Sequence, residues 1–137
     1  MRVVVDTNVL VSGLLNSGGP PAGVLADIAA GRLRPVLCDA VMAEYRAVLS
    51  RPRLRIAPAD AAEVLDLLQA TAEWVLAPEY SGTPPLPDAS DWPFIACALA
   101  AGCPVITGNA RHFPAALGVR VMTARESLVH RHAQAEP

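Results

Sequence analysis

The chain opens with an unbroken apolar run, Val3-Val4-Val5, that stops at Asp6. The run does not alternate, which predicts a strand over residues 2–6 buried on both faces in a parallel sheet. Asn8 is placed to cap a short helix reaching toward Leu15. Residues 16–21, rich in Gly and Pro, read as a turn, and 22–30 as a second helix stopped by Gly31. A second strand is expected over 35–38. Asp39 then reads as the cap of a helix over 40–50, bounded by Pro52. A further helix is expected over 59–71, with Leu65, Leu68 and Ala72 on its packed side, and Trp74-Val75-Leu76 is a faint strand pattern. Residues 77–87 hold four prolines and one glycine, so they form a loop, the kind of segment that often carries function. The next helix ends at Ala101 before Gly102. With Ser90 as its cap, Pro93 falls third in the helix, where its missing N–H costs little. Strands over 104–107 and 119–121 and a helix from a Thr123 cap to near His132 complete the series, with a tail fraying from about residue 131. The alternation predicts an α/β layer fold with right-handed crossovers, in one domain spanning 1–137.

Composition narrows this picture. The apolar fraction of 53% is that of a folded globular chain, and with aromatics at only 4% the core must be built mainly from Ala, Val and Leu. Eleven basic against thirteen acidic residues leave a formal net charge of -2, which gives no support to a general nucleic-acid coat. Every one of those basic residues is arginine, and Arg46, Arg51, Arg53 and Arg55 form a short local run. Cys38, Cys97 and Cys103 are odd in number, lie among apolar neighbours and form no CxxC pair, so buried free thiols are expected. No signal-peptide pattern stands at the amino end and no stretch is long and apolar enough to span a bilayer, so a cytoplasmic, membrane-free protein is expected.

Candidate chemistry gathers at predicted strand ends and helix starts. A carboxylate closing a buried strand is poorly explained by packing, and open α/β sheets bind their ligands at that edge, which singles out Asp6. Glu44 shares a helical face with Val41 and Val48, so it is either a glutamate at the rim of the packed stripe or a group reaching the sheet edge. Asp88 and Asp91 flank the start of a helix, where capping or a favourable first-turn charge would also account for them. Thr107-Gly108-Asn109 ends a strand just as Asp6 does. Crowded carboxylates repel unless one is protonated or a cation binds. No closely spaced Cys/His set suits zinc, whereas oxygen donors suit Mg²⁺ or Mn²⁺ with a substrate phosphate completing the shell. Together they point to metal-assisted hydrolysis of a phosphoryl group.

The stretch Val3-Val4-Val5-Asp6-Thr7-Asn8-Val9-Leu10-Val11-Ser12 resembles the PIN domain family, specifically bacterial PIN-type toxin components. Pro87-Asp88-Ala89-Ser90-Asp91-Trp92-Pro93-Phe94-Ile95-Ala96 and Val105-Ile106-Thr107-Gly108-Asn109-Ala110-Arg111-His112-Phe113 share that resemblance, in the same order and at similar separations. The resemblance covers roughly residues 2–125. It implies a three-layer α/β/α sandwich around a central parallel sheet and a Mg²⁺-dependent endoribonuclease, with Mn²⁺ as a substitute, that leaves a 5′-phosphate. The metal-holding positions it implies are Asp6, Glu44 and Asp91, with Asp88 as an additional aspartate, and Asn8, Thr107 and Asn109 in support. Asn109 departs from the pattern, since an aspartate often stands there, and this weakens any second metal site. Arg51, Arg53 or Arg111 would hold backbone phosphates of a single-stranded or structured RNA. The resemblance also implies a small antitoxin partner and a homodimer.

Other classes remain for comparison. A PIN-like module with weak or no catalysis, binding RNA or protein, is the main alternative, and Asn109 is its best support. A haloacid-type phosphatase would show Asp-x-Asp-x-Thr at the first strand, where Asn8 stands in place of the second aspartate and Val9-Leu10 follow. A phospho-acceptor receiver would need a lysine, and the chain has none.

Overall fold

The structure, a computed structural model, describes residues 1–83 and 85–135, the side chains of 131–135 excepted. Five parallel strands form one sheet in the order β3-β2-β1-β4-β5. They are β1 (Arg2–Val5), β2 (Arg34–Leu37), β3 (Glu73–Trp74), β4 (Val105–Ile106) and β5 (Val121–Met122). The helices are α1 (Thr7–Leu15), α2 (Pro20–Ala29), α3 (Asp39–Leu49), α4 (Pro58–Thr71), α5 (Trp92–Ala101) and α6 (Ala124–Ala135). They flank the sheet to make the α/β/α sandwich expected.

β1 is central, and Val3, Val4 and Val5 are each fully buried. Each such side chain contributes roughly 1.5–3 kcal/mol relative to exposure. α5 packs on β1, β2 and β4, while α2 packs on both α1 and α6. Tyr45 of α3 is fully buried, stands 6.1 Å from the Phe94 ring of α5, and donates its hydroxyl to the Val5 carbonyl. Burial holds that phenol well above its ordinary pKa, so it stays a neutral donor. This bond anchors the last residue of β1, one position before Asp6.

Several boundaries differ from expectation. Asp6, not Asn8, is the N-cap of α1: its carbonyl takes the Val9 N–H, while its side chain is used elsewhere. α2 begins at Pro20 because prolines at the first two helical positions need no donor, which shortens the expected turn. Cys38 precedes α3, and Asp39 lies in its first turn rather than capping it. Asp88, not Ser90, caps a 3₁₀ turn over Ala89–Asp91, accepting the Ser90 N–H at 2.9 Å and the Ser90 hydroxyl at 2.7 Å. Pro93 becomes the second residue of α5. β3 forms at Glu73–Trp74, and Leu76, expected within it, is 96% exposed. A 3₁₀ turn over Ala115–Leu117, closed by left-handed Gly118, delays β5 to Val121, where pairing with Val105 sets the register. α6 runs to Ala135, past the end expected near His132. The expected fraying concerns residues 136 and 137 and side chains from 131, outside those described. All three cysteines are buried and free, as their surroundings predicted. No helix among the described residues is long and apolar enough to cross a membrane.

Candidate active site

From β1 the chain crosses to β2 on one side and later returns to β4 on the other. A crevice therefore opens at the carboxyl ends of β1 and β4. Asp6 follows β1 directly and Thr107 follows β4 directly, so the sheet pairing alone brings them together. The Asp6 N–H donates to the Ile106 carbonyl at 2.9 Å. The Thr107 hydroxyl, 2% exposed as a residue, donates to Asp6 Oδ2 at 2.7 Å. Thr107 Oγ1 in turn accepts the Asn109 N–H at 3.0 Å. This relay fixes the Asp6 carboxylate and leaves Oδ1 without a hydrogen bond from the described residues. Beside it, Thr7 Oγ1 is buried with no hydrogen-bond partner among the described residues.

Asp91 approaches from the start of α5. Its carboxyl is held above the usual carboxylate range, chiefly by burial and further by the neighbouring charges of Asp6 and Asp88. His112 opposes that rise, with Nδ1 2.9 Å from Asp91 Oδ2. Asp88 is exposed and its carboxyl sits below the usual range, mainly through the bonds from Ser90, with His112 also favouring its charge. Asp6, Asp88, Asp91 and Thr107 thus share one corner. Asn109 joins it through its backbone and is half-buried. Asn8 is exposed on the first turn of α1, with no side-chain bond to Asp6.

Glu44 stands apart from that corner. It is half-buried and lines an adjoining groove of about 710 Å³, with Asp39 and Glu79 as further acids and Trp74, Tyr80 and Trp92 as aromatic walls. The Tyr80 and Trp92 rings lie 5.3 Å apart, and Trp92 Nε1 donates to the Pro78 carbonyl at 2.6 Å, pinning the proline-rich loop over α5. Ala89, Ser90 and Pro93 line the same groove, so it runs alongside the segment that carries Asp91.

The arginines divide. Arg111 is exposed on a 3₁₀ turn over Ala110–His112, at the edge of the carboxylate corner. Arg51 and Arg53 follow the far end of α3, whose eleven residues carry them about 15 Å along the helix axis from Asp39. They lie away from the corner, at the far end of α3. His112 and Thr7 gained no firm role from the sequence. His112 carried a faint signal, since it lies five residues beyond strand-end Thr107. Thr7 gave none, because its burial depends on how α1 leaves the sheet.

Among the described residues, no three His, Cys, Asp or Glu side chains are grouped as a metal-binding cluster. The donors present still suit a hard cation. Such ions are held through one or two carboxylates, with water and substrate oxygens filling the rest of the shell. Asp6 and Asp91 are two mutually repelling carboxylates, and Thr7 Oγ1 is a buried oxygen lacking a partner. A cation would relieve that repulsion, a task now left in part to His112.

No characterised protein and no solved structure gives a significant match to the chain. A model of the PIN domain, by contrast, matches residues 2–111, a span that takes in the Asp6 strand, Glu44, the Asp88–Asp91 turn and the Thr107–Asn109 strand end. The chain belongs to the PIN-domain family, whose members are of nuclease type.

Proposed function

We propose that this chain is a divalent-metal-dependent endoribonuclease, the toxin of a toxin–antitoxin pair. The observation that carries the reading is the pairing of Asp6 with Asp91 at the crevice between β1 and β4. Asp6 is oriented by Thr107, and each of these residues comes from a different segment. Bound Mg²⁺ or Mn²⁺ supplies acidification of a water and stabilisation of phosphoryl charge. Asp6 and Asp91 hold it. Thr107 keeps Asp6 from rotating, and the backbone of Asn109 keeps Thr107 in place. His112 must release Asp91 Oδ2 for that oxygen to serve as a ligand. Asp88 stabilises the turn that presents Asp91 and adds negative charge to the corner. Glu44, from the adjoining groove, would help hold the metal, directly or through water. Arg111, exposed at the edge, meets a substrate phosphate. Cleavage leaves a 5′-phosphate.

The acidic rim of the groove, over apolar and aromatic walls, complements a basic antitoxin tail. A homodimer forms part of the same reading.

The test is cleavage of single-stranded RNA with Mg²⁺ or Mn²⁺ by purified protein and by Asp6→Asn. Cleavage should stop on chelation, return on metal addition and be lost in the variant. Equal cleavage by both proteins would remove the assignment. A second reading, a PIN-like module that binds RNA or protein without cutting, is favoured by the amide at Asn109 and by His112 seated on Asp91. It predicts RNA or peptide binding with no cleavage under any metal.

A further inference from the structure

The carboxylate corner has an electrostatic difficulty with its own substrate. RNA is a polyanion, the chain carries a net charge of -2, and the groove beside the corner is lined by Asp39, Glu44 and Glu79 with no arginine. Arg111 at the edge of the corner is a single cation, so further affinity for a phosphate chain must come from elsewhere on the molecule. One other cavity has the opposite character. Between the end of α3 and the start of α4 lies a cleft of about 440 Å³, lined by Arg46, Arg51 and Arg55 over an apolar floor of Leu49, Ile56 and Leu65. No carboxylate lines it. Arg53 follows on the same 3₁₀ turn, Pro52–Leu54.

Arg2 is paired with Glu73, Arg32 with Asp27, and Arg120 rests on the Gly102 carbonyl. Arg46 Nη2 donates to Gln69 Oε1 at 3.3 Å, which steers its guanidinium across the seam between α3 and α4. Arg51, Arg53 and Arg55 have no side-chain partner among the described residues. Arg34, Arg111 and Arg125 are also exposed without a side-chain bond among the described residues, so what sets the cleft apart is the grouping of its guanidinia rather than their freedom. Arg55 is also the one non-glycine residue among those described with positive φ, at 55°. It closes the 3₁₀ turn through its N–H to Pro52, a position where glycine would be less strained by about 1 kcal/mol. The chain keeps a guanidinium there at that cost.

We propose that this cleft is a second anchoring site for RNA, gripping backbone phosphates about one helix length from the carboxylates. Guanidinium forks match phosphate oxygens, and a dry apolar floor strengthens the pairing. Arg46, Arg51 and Arg55 line one cleft and Arg53 follows on the same turn, four cations for a phosphate chain to meet. The proposal rests on the nuclease reading for its substrate, and its test is read from binding alone.

Binding of a labelled single-stranded RNA is measured in chelator, with Asp6→Asn as the parent so that nothing is cut. Arg51→Gln combined with Arg55→Gly removes two guanidinia while easing the backbone at 55. Arg34→Gln combined with Arg125→Gln is the charge-matched control on other exposed surface. The cleft variant should raise Kd about tenfold and lower the slope of log K against log salt by roughly 1.4, from about 0.7 per phosphate contact on single strands. The control should change both far less. Unchanged Kd and slope, or an equal effect in the control, would overturn the proposal. Inorganic phosphate bound at the cleft of the parent, with RNA affinity indifferent to the cleft variant, would overturn it in favour of a free-anion site. A melting midpoint matched to the parent shows that the variant is folded. If it is lowered, Arg51→Gln alone is used, with half the slope change expected. Absence of metal-dependent cleavage by the unaltered chain would sink the nuclease reading instead, and is scored separately.

Discussion

Two aspartates are buried among the described residues, and they are held in opposite ways. Asp27, 1% exposed on α2, receives Arg32 Nε on Oδ1 at 3.1 Å, while its carbonyl takes the N–H groups of Arg32 and Leu33. Its cation comes from five residues downstream, and together they close the turn from α2 into β2. Asp6, 8% exposed, has no arginine paired with it among the described residues. It takes a hydroxyl from a residue 101 positions away and shares its corner with a second carboxylate, Asp91. A buried charge neutralised by its own neighbourhood completes a fold. One whose charge is reinforced by distant segments is, on the function proposed above, a site whose counter-charge would come from outside.

Substitutions at the two positions should separate those roles. Asp6→Asn should lower metal-dependent RNA cleavage by more than about 100-fold, the upper end of what losing an indirect ligand partner does. Its melting midpoint should hold or rise slightly, since repulsion with Asp91 is removed. A fall in midpoint with activity retained would make Asp6 a structural residue like Asp27. Asp27→Ala should do the reverse. Breaking a buried pair costs about 3–5 kcal/mol, but Arg32 is half exposed and partly recovers its hydration, so roughly 2 kcal/mol is expected from denaturant unfolding. Cleavage per folded molecule should not change.

Thr107→Val tests the relay between strand ends. It leaves the Asn109 N–H and Asp6 Oδ2 without their shared partner, so activity should fall about tenfold while stability drops by about 1 kcal/mol. A stability loss with unchanged activity would mean that Thr107 serves the fold alone. Asn109→Asp should have the smallest effect, tightening Mg²⁺ or Mn²⁺ binding a few-fold in calorimetry. An unchanged affinity would place that side chain outside the metal shell.

Much of this corner was legible in the sequence. An apolar run that halts at a carboxylate marks a strand end, and Val105-Ile106-Thr107 repeats the device without the charge. Helix starts were harder. Asn8, Ser90 and Asp39 are good local cap residues, yet none fills the role. The chain starts α1 at Thr7 while Asp6 turns to Thr107, and Asp88 takes both the Ser90 N–H and its hydroxyl. Cap preference is a local competition, and here packing and remote bonds outweigh it. Glu44 was expected to hold the metal beside Asp6 and Asp91, but it lines the neighbouring groove and is not grouped with them among the described residues, because helical periodicity gives the face of a residue and not how far it reaches. Arg51 and Arg53 were near it in sequence, but a helix leaving the sheet edge carries its far end away at 1.5 Å per residue.

By itself the sequence determined that β1, β2 and β4 are buried strands, where they stop to within about a residue, and which oxygen-bearing side chains stand at the ends of β1 and β4, because hydrophobic patterning is written locally. Only the tertiary structure decided that β1 and β4 lie side by side, so that Thr107 reaches Asp6. It likewise decided that His112 sits on Asp91 and that the arginines form a cleft at the opposite end of α3. Those outcomes depend on strand order, register and helix direction. Each is a balance of contacts between residues far apart in the chain, and no local stretch carries it.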